Sequence, residues 1–347
     1  DLLKDKVING FIKCENNFIT YVGETKPENC GAITENEGYI MPGFIDIHCH
    51  ANNKFFAHEK PEEVAMYHKS HGTTGMLLTF YRDVPHGKLI TSLKKIKELI
   101  EKGSNVLGAH LEGPYLNANF GTGSGVNQIY PDKRIYDEYI SFGVIKQWTC
   151  SPEVKGTEQF ISDISKQGIV PAIGHSKASC QEVKKAYDKG AKIVTHIFDA
   201  TGTAKDENTV AGTEDMSFDE STMLMDDMYY EVIIDKNRVH VKEEKLKLLI
   251  KTVGIDRVIC ITDCFCGGVD DGLDINMVHG ELAGSKLTMD KVVVNLFEAG
   301  YTLSQIAKLT SYNACKVLGL TDRGEISVGK RADLVLVNDK AEFIKVL

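Results

Sequence analysis

Residues 39–50 read YIMPGFIDIHCH, and the fold follows from how this stretch ends. A turn-like Met-Pro-Gly leads into an apolar run at 43–47, which terminates in two histidines, His48 and His50. Residues two apart on a strand face the same way, so both imidazoles can be offered to one ion at the strand's C-terminal end. Seven further apolar runs follow at 73–80, 105–111, 144–149, 169–173, 191–195, 229–234 and 257–261. Most show little alternation, as expected of parallel strands buried on both faces. Amphipathic stretches such as 89–102 (LITSLKKIKELIEK), 179–189 and 241–253 lie between them. Strands alternating with helices of this length imply βαβ units. Eight such units predict an α/β fold of the (β/α)8 TIM-barrel type.

A barrel of this kind takes about 250 residues, and the 347-residue chain leaves a smaller appendage. The ends of the chain supply it. Residues 7–23, VINGFIKCENNFITYVG, are short alternating segments broken by Asn-Gly and Asn-Asn turns. Residues 324–338, GEISVGKRADLVLVN, read as two strands separated by a Gly-Lys turn. The expectation is a small β-sandwich domain built from 1–40 and 321–347, with the barrel at 41–320.

Composition narrows the partners. The net charge is −9 with no basic cluster, so nucleic acid is not an expected partner. No apolar run reaches 18 residues and no signal-peptide pattern opens the chain, so a cytoplasmic protein without a membrane partner is expected. Nine cysteines, with only Cys264 and Cys266 close together, suit buried thiols in a reducing compartment better than a disulfide framework.

The chemistry sits where strands end, since catalytic groups of such barrels gather at the C-terminal ends of the strands. Glu112 in GAHLEGP ends the third run, and the Gly-Pro after it turns the chain abruptly. His175 in PAIGHS and His196 in IVTHIF end the fifth and sixth, and Asp263 in VICITDC closes the eighth. A glutamate with two histidines is a ligand set for catalytic zinc that leaves a position for water. With His48 and His50 added there are donors for two divalent ions, Glu112 bridging them. One or two ions therefore remain open, with zinc the first choice and iron or manganese the alternatives. Asp263 is placed to take a proton from the attacking water and return it to the leaving group. His110 shares Glu112's face one layer deeper and reads as a core histidine. His58, His68, His71 and His86 read as surface residues, and Lys146, near the start of its strand, as structural.

The segments MPGFIDIHCH, HLEGPYLN, PAIGHSKAS, VTHIFDA, ITDC, LAGSKLTMD and YNACKVLGL, taken in order, resemble the amidohydrolase superfamily and, within it, the N-acetylglucosamine-6-phosphate deacetylases. The resemblance covers nearly the whole chain. It implies that Glu112, His175 and His196 are the main metal ligands, that His48 and His50 hold a second ion where one is bound, and that Asp263 is the catalytic aspartate. It also implies substrate contacts at Asp199 and Ala200, at the backbone near Leu282, and at Gly123 in the loop after Glu112. His240 resembles a histidine that reaches into the neighbouring subunit's site, which implies a homodimer, although two extra residues separate Asp235 from His240 here.

Departures from the family pattern fall on the substrate side. Asp199 stands where asparagine is common, and residues 199–212, DATGTAKDENTVAG, carry no arginine but add Asp206 and Glu207. A carboxylate repels a phosphate and a bidentate donor is missing; Lys205 is the available point charge. The loop 117–127, NANFGTGSGVN, lacks the family's basic residue and histidine. The expected activity is removal of an acetyl group from an N-acetylated amino sugar, N-acetylglucosamine-6-phosphate or a close relative. The alternatives are an amidohydrolase of the same fold acting on a non-phosphorylated N-acyl compound or cyclic amide, and a metal-binding sensor without turnover.

Overall fold

The computed structural model describes residues 6–347 apart from 32, 33, 35, 36, 122–126, 206, 268–271 and 279. Two strands precede the barrel, β1 (Phe11–Glu15) and β2 (Phe18–Gly23), joined as an antiparallel hairpin. Asn16 and Asn17 make its turn with φ of 51° and 66°, the left-handed region that asparagine tolerates. Strand β3 (Tyr39–Pro42) then delivers the chain to the barrel.

Eight parallel strands follow in chain order: β4 (Phe44–Cys49), β5 (Thr73–Tyr81), β6 (Val106–Glu112), β7 (Ile145–Cys150), β8 (Val170–Ile173), β9 (Ile193–Val194), β10 (Tyr229–Ile233) and β11 (Val258–Ile261). Each pairs with its sequence neighbour. The first and last strands meet at their C-terminal ends, where Asp263 N donates to His48 O at 2.8 Å and His50 N to Cys264 O at 3.0 Å. Those two bonds set Asp263 beside the histidine pair.

A helix follows every barrel strand: α1 (Pro61–Lys69), α2 (His86–Glu101), α3 (Lys133–Ile140), α4 (Thr157–Lys166), α5 (Cys180–Asp188), α6 (Phe218–Met223), α7 (Glu243–Val253) and α8 (Met289–Glu298). Their sequences explain why they form and which face they bury. In α2, Leu89, Leu93, Ile96 and Leu99 recur at helical spacing and are all buried. Helix α5 begins with a capping box in which Ser179 and Glu182 satisfy each other's backbone N–H groups. The strands themselves are buried, β4 and β11 at every residue.

Inside the barrel the layer beneath the mouth is polar and hydrogen-bonded, with Gln147 Oε1 left without a partner among the described residues. His110 Nε2 lies 2.8 Å from Thr149 Oγ1, which is 2.9 Å from Thr195 Oγ1. Gln147 donates to Glu231 Oε1 at 2.7 Å. Burial, then the neighbouring His48 charge, holds the His110 pKa well below its usual value, so this histidine is a neutral member of the core network.

After β11 come a hairpin of β12 (Ile275–Val278) and β13 (Glu281–Ser285), then β14 (Leu334–Val337) and β15 (Phe343–Val346). Strands β3, β14 and β15 form one antiparallel sheet. The β1–β2 hairpin joins the C-terminal segment through Ile19 N to Lys330 O and Gly329 N to Ile19 O, each 2.8 Å. The two ends of the chain therefore lie together, and β3 straddles residue 40, the expected edge of the barrel unit. The first strand expected within 324–338 does not form: 325–329 are irregular, and a turn from Lys330 N to Ser327 O breaks the run. Its role is taken by β15, farther along the chain.

All nine cysteines are free. Among the described residues no helix is long and apolar enough to cross a membrane.

Candidate active site

Six side chains from the ends of five strands converge at the mouth of the barrel. Glu112, the last residue of β6, lies between two pairs of histidines. Its Oε1 is 2.9 Å from His175 Nε2 and 3.0 Å from His196 Nε2, and its Oε2 is 3.1 Å from His50 Nε2. The two Nε2 atoms of His175 and His196 are 3.0 Å apart, and those of His48 and His50 are 3.2 Å apart. Asp263 Oδ1 closes the group at 3.3 Å from His50 Nε2 and 3.4 Å from His48 Nε2.

Local backbone conformation aims these groups. His175, His196 and Asp263 each follow a strand with positive φ, 48°, 26° and 45°, as do Phe198 at 74° and Ala200 at 51°. Non-glycine residues in this region cost about 1–3 kcal/mol each and cluster at functional sites. Two glycines make room for the turns. A Cβ on Gly121 would lie 2.5 Å from His175 Nδ1, and one on Gly284 would lie 2.4 Å from the Asp263 carbonyl oxygen.

Opposed imidazole nitrogens at this distance have no hydrogen bond to share unless one is protonated. Burial works against charge on His48 and His50, but the carboxylates outweigh it and raise both pKa values. Burial would raise the Glu112 carboxyl, and His48 and His175 outweigh that and hold it well below the usual range. The cluster is thus built to gather positive charge. Two sets of three donors, His48 with His50 and Glu112, and Glu112 with His175 and His196, each lie within 4.8 Å. This nitrogen and oxygen donor chemistry fits a divalent cation, with Glu112 common to both sets.

Glu231 is a member that the sequence reading passed over. It lies within β10 and is fully buried, with its Oε2 3.0 Å from His48 Nδ1. A carboxylate on the far nitrogen fixes the ring's tautomer and orientation for a metal. The Nδ1 atoms of His50, His175 and His196 are buried with no such partner among the described residues. Glu231→Gln is therefore expected to weaken divalent-ion affinity about 10–100-fold, measured by competition with a metal indicator; unchanged affinity would remove this role.

His68 corrects the expectation of a surface residue. On α1 it shares the buried face with Val64 and Ala65, and its Nε2 lies 2.8 Å from Ala51 O and 3.1 Å from Cys49 Sγ. Nearby Asp46, also buried, accepts from Thr262 Oγ1 at 2.6 Å. This third group, Asp46, Cys49 and His68, braces the back of the strand that carries His48 and His50. By contrast His86 is half exposed, Lys146 is exposed, and His58 and His71 are intermediate.

The substrate-side residues divide. Asp199 and Ala200 follow His196; burial works against charge on His196 and His240, but Glu112 for the first and Asp235 for the second, with Asp199 beside both, outweigh it and raise their pKa values. Leu282 lies on β13, which is held along the strand-end segment by Ser285 N to Asp263 O at 2.8 Å. Gly123 and Asp206 lie outside the described residues. His240, the residue expected to reach a neighbouring subunit, is buried against its own chain. Its side chain is enclosed, with Nδ1 3.1 Å from Asp235 Oδ2 and Nε2 3.2 Å from Gly284 O. The residues inserted between Asp235 and His240 let Asp235 also accept from Val239 N and His240 N, which folds the segment back on its own barrel.

Comparison with known proteins agrees with this geometry. A model of the amidohydrolase family matches residues 39–346. The N-acetylglucosamine-6-phosphate deacetylase of Lysinibacillus sphaericus is 28% identical over 331 residues, covering 87% of this chain and 82% of that protein. The enzyme of the same name from Bacillus subtilis is 28% identical over 369 residues, covering 97% and 90%. Among solved structures, N-acetylglucosamine-6-phosphate deacetylase from Thermotoga maritima superposes with a TM-score of 0.82 at 26% identity, covering 97% of this chain and 92% of that one.

Proposed function

The chain belongs to the amidohydrolase family, and from that premise we propose that it removes the acetyl group from an N-acetylated amino sugar, N-acetylglucosamine-6-phosphate or a close relative, using one or two divalent ions, zinc first. The observation that carries this reading is the convergence of His48, His50, His175 and His196 on Glu112, with Asp263 beside His48 and His50. The relatives' names supply the substrate class.

Glu112, His175 and His196 would hold the principal ion, and His48 and His50 a second beside the same glutamate. An ion held there would supply Lewis-acid polarisation of the amide carbonyl and of the attacking water. Asp263 does the proton work. Its Oδ1 faces the histidine pair, and although burial would raise its pKa, His48 and His50 outweigh that and keep it ionised. It takes the proton of the attacking water and passes it to the amide nitrogen as the C–N bond breaks, giving the carboxylate and the free amine. His240, held by Asp235, and Asp199 line the side of the mouth suited to a hydroxyl-rich scaffold.

The 6-phosphate is the open element of specificity. Arg238 is committed to Glu243 Oε2 at 3.1 Å and to the carbonyls of Asp235 and Asn295. Exposed Lys177 and Lys205 remain as point charges near the 199–205 segment. The test is acetate release from N-acetylglucosamine-6-phosphate, N-acetylgalactosamine-6-phosphate, the unphosphorylated sugars and a panel of N-acetyl amino acids. Turnover of an amino sugar supports the reading, and a preference for the 6-phosphate assigns a lysine to the phosphate. Turnover of N-acetyl amino acids alone overturns it.

A further inference from the structure

One side of the active-site mouth is a continuous aromatic surface that the proposed chemistry does not use. Phe265 lies 5.3 Å from His50 between ring centroids, and Tyr81 lies 6.2 Å from it. Phe56 packs edge-on against Phe265 at 4.7 Å and 77°, and lies 5.4 Å from Tyr81; Tyr81 and Phe265 are 5.7 Å apart. All three rings are only partly buried.

The backbone fixes them there. Phe56 sits in a loop tied by Ala57 N to His50 O at 2.7 Å and by Asn52 Oδ1, which accepts from Lys54 N and Phe55 N at 2.8 and 2.7 Å. Phe265 N donates to Ser285 O at 2.9 Å. Tyr81 ends β5 directly beside Glu112 in the sheet register. Partly exposed aromatic rings held rigidly next to reacting groups form a binding surface at low conformational cost.

The ring faces are apolar, with the His58 imidazole stacked on Phe56 at 5.5 Å and the Tyr81 hydroxyl as the polar groups beside them. The rings touch one another at ordinary aromatic-pair separations, so they leave no gap in which an ammonium group could be boxed between ring faces. Asp199 follows His196 in the chain, while the aromatic rings lie beside His50. An amino-sugar scaffold needs polar partners, which leaves the acyl group facing the rings.

We propose that Phe56, Tyr81 and Phe265 form an acyl-side subsite that favours N-acyl substrates with acyl chains longer than acetyl. This inference rests on the deacylase reading above. Hydrolysis then consumes water and releases the longer carboxylate and the same free amine.

The experiment is amine release from N-acetyl-, N-propionyl- and N-butyrylglucosamine, each with and without a 6-phosphate, by the metal-loaded protein and by Phe56→Ala and Phe265→Ala. A methylene moved from water onto an apolar surface corresponds to about a fourfold gain, so kcat/KM is expected to rise roughly fourfold per step in the unaltered protein. In the variants the butyryl-to-acetyl ratio is expected to fall toward one. Cleavage of the acetyl compound with equal or poorer use of the longer ones overturns the subsite and leaves the deacylase reading standing. A ratio that survives both substitutions also overturns it. Absence of amine release from every compound removes both. The series in the unaltered protein decides the matter even if a variant fails to fold.

Discussion

Asp263→Asn lowers kcat by about 10²–10⁴-fold, the range for loss of a positioned general acid–base group, while the protein keeps its metal. The substitution preserves shape and leaves Glu112 and its four histidines intact, but an amide cannot accept the proton of the attacking water. The side chain's placement depends on the backbone as much as on its own contacts. Asp263 N donates to His48 O, its carbonyl accepts from Ser285 N, and its φ of 45° turns the carboxylate toward His48 and His50. Turnover and metal-to-protein ratio, measured on the same preparation, check this. Turnover equal to the unaltered protein would place the proton relay elsewhere, and loss of metal would make Asp263 a ligand in place of a base.

Glu112→Ala has the other large effect: divalent-ion affinity falls roughly 10²–10³-fold or more, the order of the ~3–5 kcal/mol lost when one partner of a buried charge pair is removed. Both carboxylate oxygens are used, Oε1 by His175 and His196 and Oε2 by His50. Without them, four imidazoles face one another with less negative charge to hold a cation. Equilibrium dialysis with elemental analysis reads the loss. Retention of a full metal complement would show that the histidines bind without the shared carboxylate.

The barrel was legible because its strands are buried on both faces and so read as continuous apolar runs, each followed by an amphipathic helix. The six converging residues were legible because each interrupts or ends such a run with a polar group. Glu231 obeys the same logic, a carboxylate within the otherwise buried run YYEVI, but it precedes the strand end where reacting groups were sought. His68 was misread because α1 looks polar; its four-residue spacing from Val64 was the available signal of a buried face. The hairpin β12–β13 and the placement of Phe56 depend on loop conformations fixed by tertiary hydrogen bonds, and local sequence does not encode those contacts. For His240, the inserted residues were visible, but their effect of wrapping the segment around Asp235 required the structure.

The most direct test of a metal-dependent deacylase is amine release from N-acetylglucosamine-6-phosphate before chelation, after exhaustive chelation, and after restoring zinc, manganese or iron. The proposed site predicts measurable release, its loss on chelation and its recovery with at least one added ion. Release that persists at full rate in metal-free protein would contradict it.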